Sequence, residues 1–271
     1  MKDVTVAALR RYPVKSMLGE DLTGAVVTAS GLEGDRVAAV IDRETGRVAT
    51  AKHPRLWRDL LSLTAQWNDG EPNITLPDGD CLSIDDPNVD RLLSELLQRE
   101  VALSTTRPEH ASVGRPAPED VIEAGADADL PFEILEIAQG TPGTNFVDFA
   151  PVHLISSATL AHVGAEMIRY RPNLVLDTPL GAPFAENDWV GREICIGEVR
   201  LSVIRCTPRC AVPTLPHGVL PTRTDAVRTV LQQNLITLPG FGPKPCLGAY
   251  AQVISGGMIS LGDTASFQPA I

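Results

Sequence analysis

The chain has 271 residues, a formal net charge of -11 and 44% hydrophobic residues, enough for one large domain or two modest ones with a sizeable core. Its acidity argues against non-specific binding to nucleic acid or an anionic membrane surface, and no apolar stretch approaches the roughly 20 residues of a membrane span. The opening "MKDVTVAALRRYPVK" lacks a signal-peptide core. The five cysteines (Cys81, Cys195, Cys206, Cys210 and Cys246) are odd in number and follow no disulfide framework, so a reducing cytoplasm is the expected compartment.

The first 85 residues read as short strands. Val4, Val6 and Ala8 alternate; "AVVTA" (25–29), "VAAVID" (37–42) and "ITL" are bounded by turn residues, the pattern of an antiparallel sheet or barrel. "DDPNVDRLLSELLQRE" predicts a helix, with Asp86 as its cap and Leu92, Leu93, Leu96 and Leu97 as its apolar stripe. Residues 107–131 are rich in Pro, Ala, Gly and acid without a sustained period. They read as a long connection, giving domains at 1–106 and 132–268.

Structure resumes with "FEILEI" (132–137). "LISSATLAHVGAEM" predicts a strand end entering a helix, with Ser156 or Ser157 at the N-cap. "LVLD" (174–177), "REICIG" (192–197) and "VRLSVIR" (199–205) predict strands, and "TRTDAVRTVLQQNL" a helix. "LGAYAQVISGGMISLGD" predicts a closing hairpin turning at Gly256-Gly257. The expected class is mostly β, of the α+β kind: a barrel-like unit with a smaller β-rich unit before it.

The chemistry gathers at "RCTPRC" (205–210). A structural zinc site needs four ligands, usually two close pairs, and the other cysteines are dispersed. Packing alone suits Cys206, Cys195 and Cys81. It suits Cys210 less well, because the Arg209 guanidinium beside it favours the reactive thiolate. His153 and His217 could serve a hydrolase, but no G-x-S-x-G elbow is present, and "GLEGDR" is neither a Walker loop nor a dinucleotide fingerprint. Lys15, Arg36, Lys52, Arg171 and Arg209 stand beside turns; for any one of them, solvated surface charge is the ordinary reading.

Taken in order, "YPVKS", "GLEGDR…VATAKHPRL", "FVDFAPVHLISSATL", "RYRPNLVLD", "PFAENDWVGREICIGEVRLSVIRCTPRCAVPT" and "CLGAYAQVISGGMISLGD" resemble the MOSC family, the molybdenum-cofactor sulfurase C-terminal domain, with its N-terminal β-barrel companion. The resemblance implies a molybdenum cofactor, a pterin (molybdopterin) carrying the metal, with Cys210 as metal ligand and catalytic residue. It implies further that Lys15, Arg36 and Arg171 serve the pterin phosphate, that Ser16, Ser156 and Asn173 give polar contacts and that Tyr250 gives an aromatic one. Lys52 and Arg209 are plausible additions. After the cysteine, eukaryotic amidoxime-reducing members of the family read T-T-V-D-P-x-T-G where this chain reads "AVPTLPHG", a departure in the loop that such a reading turns toward the substrate.

The implied function is reduction of N-hydroxylated small molecules by a molybdenum-cofactor oxidoreductase. No flavin, nicotinamide or iron–sulfur motif is visible, so a separate electron-donor protein is expected. The alternatives are sulfur transfer through a persulfide on Cys210, although 271 residues leave no room for a desulfurase domain beside both units, and a non-catalytic cofactor carrier.

Overall fold

The structure is a computed structural model and describes residues 3–178 and 181–268. Its centre is a closed barrel of seven strands: β1 (Val4–Arg11), β2 (Val152–Ser156), β3 (Leu174–Asp177), β4 (Glu193–Ile196), β5 (Val199–Pro208), β6 (Gly242–Ser255) and β7 (Thr264–Gln268). Around the ring the order is β1-β3-β2-β6-β5-β4-β7 and back to β1. Only β2 and β3 run parallel, with Leu154 opposite Leu174. Closure removes the free sheet edges. Alternating Val, Leu, Ile and Ala side chains, Leu9, Leu154, Leu176, Ile194, Val203 and Ala251 among them, fill the interior.

The fold is mostly β, with the larger barrel preceded by a smaller β-rich unit. That unit is built from short sheets. Thr64–Asn68, Glu71–Thr75 and Cys81–Ser83 form one, and Ala39–Asp42 pairs with Val101–Ser104. Their apolar faces meet the helix Val89–Leu97, which buries Val89, Leu93 and Leu97 among Val40, Leu60 and Ile74. The helix starts later than its sequence suggests. Asp86 accepts the Asn88 N–H at 2.7 Å in a turn before the first helical residue, and Asn88 is the N-cap.

Three features differ from the sequence reading. The first strand does not join the N-terminal sheets. It crosses into the barrel and pairs with β3 and β7, a partner that alternation along one strand cannot reveal. The stretch 107–131 contains regular structure: Ser112–Pro116 pairs with Phe132–Glu136, and the helix Pro118–Ala124 lies between them. The closing hairpin is not formed. Gly257–Ser260 pairs instead with Gly24–Thr28, because a single residue, Gly256, separates it from β6 and a hairpin turn needs two or more. A side chain at Gly256 would meet the Val27 carbonyl oxygen at 2.3 Å, so the crossing requires glycine.

Among the described residues no helix is long and apolar enough to cross a membrane. All five cysteines are free.

Leu93 is wholly buried in the N-terminal core, so Leu93→Ala should cost about 2–5 kcal/mol through lost burial and a residual cavity. Leu92 lies at the margin of the same core, and Leu92→Ala should cost clearly less. Denaturant melts of the two variants check the order.

Candidate functional site

One cleft draws on both halves of the chain. Lys15, Ser16, Arg36, Thr50 and Lys52 come from the N-terminal side, and His153, Arg171, Asn173, Arg209, Cys210 and Tyr250 from the barrel side. Nine of its lining side chains are Lys or Arg, and only Glu136 and Asp148 are carboxylates. In a protein of net charge -11 this is a local inversion of sign.

The cations are arranged in depth. Lys15, 4% exposed, donates to the Phe146 carbonyl at 2.8 Å and to Asp148 Oδ1 at 2.6 Å. Lys52 Nζ lies 2.8 Å from the same oxygen. Burial pushes Lys15 down to about 8 despite the opposing pull of Asp148. Burial alone would raise the Asp148 carboxyl; the ammonium groups of Lys15 and Lys52 outweigh it and hold Asp148 well below the usual carboxylate range. Arg36 pairs with buried Asp35 and donates to Asn173 Oδ1 and to the Arg171 carbonyl, each at 3.3 Å.

Arg171 is different. Its Nη1 and Nη2 are shut off from solvent and have no hydrogen-bond partner. Burial lowers its pKa to about 10, still high enough to keep the charge at neutral pH. The guanidinium lies 4.3 Å from the centroid of the Tyr12 ring, and that of Arg36 lies 5.0 Å from it. Ser16, Arg36 and Arg171 all have left-handed backbones, with φ of 66°, 49° and 57°. Such conformations cost about 1–3 kcal/mol each in non-glycine residues and cluster where side chains must be aimed.

The two cysteines of "RCTPRC" part company through strand alternation. Arg205 and Thr207 on β5 face the cleft. Cys206 points the other way, 5% exposed, into a small cluster with Leu238 and Cys246. Its Sγ lies 3.4 Å from Asn187 Oδ1, and burial pushes its thiol up. Cys210, just beyond the strand, returns to the cleft and is partly exposed there. Among the described residues no group of three His, Cys, Asp or Glu side chains could hold a metal unaided, so a zinc centre has no ligand set. A metal on Cys210 would need its remaining donors from elsewhere.

Arg209 lines the cleft, but its donors are engaged within the protein. Nε donates to the Leu247 carbonyl at 2.9 Å, Nη1 to that of Tyr170 at 3.0 Å, and Nη2 faces His153 Nε2 at 2.5 Å. The guanidinium therefore holds the turn carrying Cys210 in place. His153 is kept neutral, first by burial and then by the Arg209 charge. Its Nδ1 donates to the Arg171 carbonyl at 3.3 Å, so His153 links the cysteine turn to the orphaned arginine and serves no nucleophile. Gly248 makes room for this contact: a side chain there would meet His153 Nε2 and the Leu154 carbonyl at 2.6 Å.

Ser156 does not join the group. It is wholly buried at the N-cap of the helix Ser157–Val163, where its Oγ accepts the Thr159 N–H at 3.1 Å and bonds Thr159 Oγ1 at 2.9 Å. Ser16 Oγ accepts the Ala51 N–H at 3.1 Å at the cleft wall. Asn173 lines the cleft while tying Arg36, the His153 backbone and the Arg10 carbonyl together. Sequence reasoning missed Asp35, Asp148, Tyr12 and Arg169. Arg169 is 1% exposed and donates to the carbonyls of Leu215 and Pro221, which fixes the loop after Cys210. The signal for Asp148 was a lone acid inside the apolar run "NFVDFAP".

Residues 3–113 match the MOSC N-terminal beta barrel domain, and residues 142–266 match the MOSC domain. Mitochondrial amidoxime-reducing component 1 of Homo sapiens is 26% identical over 282 residues, covering 96% of this chain and 81% of that protein. The protein of the same name from Mus musculus is 25% identical over 291 residues with the same coverage. Both relatives are named as mitochondrial, so the cytoplasmic expectation draws no support from them. A solved structure, the YUAD protein from Bacillus subtilis, covers 98% of this chain and 96% of its own at 11% identity and a TM-score of 0.44, too loose a likeness to carry an argument. The two domain matches stand in the order of the motifs and together span most of the chain, which belongs to the MOSC family as a MOSC N-terminal beta barrel domain followed by a MOSC domain.

Proposed function

We propose that the cleft holds a molybdenum cofactor and that the chain reduces N-hydroxylated compounds with electrons from a separate donor protein. The observation that carries this reading is the pair of unpartnered Arg171 nitrogens in the same cleft as the Cys210 thiol. A buried guanidinium without partners is costly, and an oxyanion such as a pterin phosphate would satisfy both nitrogens through charge-assisted bonds. A thiolate is a suitable soft donor for the metal. The residues present therefore fit the group.

Arg171, Arg36 and Lys15 would seat the phosphate, and Cys210 would hold the metal. Tyr250 adds an aromatic wall 5.7 Å from the His153 ring. When bound, the cofactor supplies the two-electron chemistry that, with two protons, converts an N–OH group to N–H and water. The protein's part is positioning. Arg209 and His153 hold the cysteine turn, Asp35 and Tyr12 hold the arginines, and the buried walls exclude water. The relatives named for amidoxime reduction support the reaction class.

Arg171→Ala and Arg36→Ala should each weaken cofactor retention by about 1.5–3 kcal/mol, roughly 10- to 150-fold. Cofactor-free Arg171→Ala should melt no lower than the wild type, because it removes a buried charge that lacks partners. Pterin content under limiting cofactor, with melts of the cofactor-free proteins, checks both.

Cys210→Ser should abolish turnover and metal binding through sulfur while leaving the fold intact. Cys206→Ser should keep metal and activity at a modest cost in stability. Metal analysis, activity and melting temperature decide between them. A labile persulfide on metal-free Cys210 would favour sulfur transfer instead, and bound cofactor without turnover, given a competent donor, a carrier.

Retention should also depend on pH. Lys15 is protonated below about 8 and neutral above it, so its charge is available to an anion only on the acid side. Wild-type affinity for the cofactor should fall as pH rises from 7 to 9. Lys15→Met should bind more weakly at pH 7 and show a flatter profile over that range; equilibrium dialysis at stepped pH measures it.

A further inference from the structure

The mouth of the cleft carries a second cationic group that the phosphate seat does not use. The Arg205 guanidinium lies between two aromatic rings, 4.8 Å from the Phe149 centroid and 4.5 Å from that of Phe241. Its Nε is buried without a hydrogen-bond partner. Among the described residues Arg205 makes no ion pair, and neither do its fellow lining residues Lys244 and Arg115. The single hydrogen bond of Arg115's guanidinium runs to the Arg209 carbonyl at 3.1 Å. Both lining carboxylates are engaged elsewhere, Asp148 by the two lysines and Glu136 facing His110 at 3.3 Å.

Phe241 is 46% exposed, which marks this end as the entrance, whereas the Arg171 nitrogens lie sealed from solvent. A guanidinium held between two rings is fixed in orientation and weakly hydrated, and its planar fork matches an oxyanion. On so acidic a protein, lining cations without carboxylate partners would attract small anions to the cleft while the rest of the surface repels them.

We infer that the entrance is an oxyanion subsite built on Arg205, with Lys244 on the lining of the same cleft, and that the substrates of this chain carry a carboxylate or phosphate remote from the reacting group. The reacting group is that of the proposed reduction, on which this substrate class rests. Arg205 is a specificity residue: it grips the distant anion and leaves the reacting atoms to the Cys210 end.

Binding and turnover are measured separately on cofactor-loaded full-length protein. The probes are benzamide, 4-carbamoylbenzoate and 4-carbamoylphenyl phosphate, none of which can be reduced at an N–O bond. The wild type should bind at least one charged probe about tenfold or more tightly than benzamide, the worth of one charge-assisted hydrogen bond, and which one identifies the anion. Arg205→Gln should lose that preference, with benzamide affinity unchanged, and Lys244→Gln should lose part of it. In turnover, Arg205→Gln should raise KM for 4-carboxybenzamidoxime about tenfold at similar kcat, with benzamidoxime unaffected.

Equal wild-type affinity for all three probes overturns the subsite, whether or not any variant folds. So does a charged-probe preference that survives Arg205→Gln undiminished. A charged-probe preference that depends on Arg205, with no reduction of either amidoxime, leaves the subsite standing and removes the proposed reduction.

Discussion

Two like charges, Arg36 from one half of the chain and Arg171 from the other, are held against a single ring, Tyr12. Everything else in the cleft is arranged around that constraint. Asp35, fully buried, neutralises Arg36 and accepts the Tyr12 N–H at 2.8 Å. Arg171 receives no such partner. The backbone at both arginines is left-handed, so the fold bears local strain to aim two guanidiniums at one place. A protein selected for stability alone would have removed one charge or supplied a second carboxylate. The unpaired charge supports the proposal that an anionic group binds there.

The same logic places the thiol. Strand alternation turns Cys206 into a small apolar cluster, and the turn after Pro208 brings Cys210 back to the cleft. The turn is pinned by Arg209 through three backbone and side-chain acceptors. The loop that follows is pinned by Arg169, which reaches its carbonyls from the helix Met167–Tyr170. Two buried arginines therefore act as struts on either side of a partly exposed cysteine. The loop that reads "AVPTLPHG" therefore leaves a thiol held from both sides.

Much of this was legible in the sequence because it is local. Strands β3, β4 and β5 announced themselves as short apolar runs ending at turns, and the helix Val89–Leu97 as a leucine stripe. The cationic residues beside turns, Lys15, Arg36, Lys52, Arg171 and Arg209, do share one cleft. What stayed hidden is non-local. Nothing in "VTVAALRR" says that it closes a barrel whose other strands begin some 140 residues later. Gly256 read as a hairpin glycine, although it is needed for a close crossing over Val27. Ser156 had the right residue type and neighbourhood for a ligand contact, yet its hydroxyl is consumed by a helix cap. Arg209 was read by its charge, and only the distribution of its donors shows that it supports the turn.

On the proposed reading, the orphaned Arg171 guanidinium and the Cys210 thiol are two ends of one cofactor seat. The most direct measurement is a crystal structure of the full-length protein reconstituted with molybdenum cofactor. The pterin phosphate should lie on Arg171, with Arg36 and Lys15 beside it, and the metal should be bonded to the Cys210 sulfur. A phosphate seated at the Arg205 entrance with Arg171 still unpaired, or a metal bound without Cys210, would contradict it.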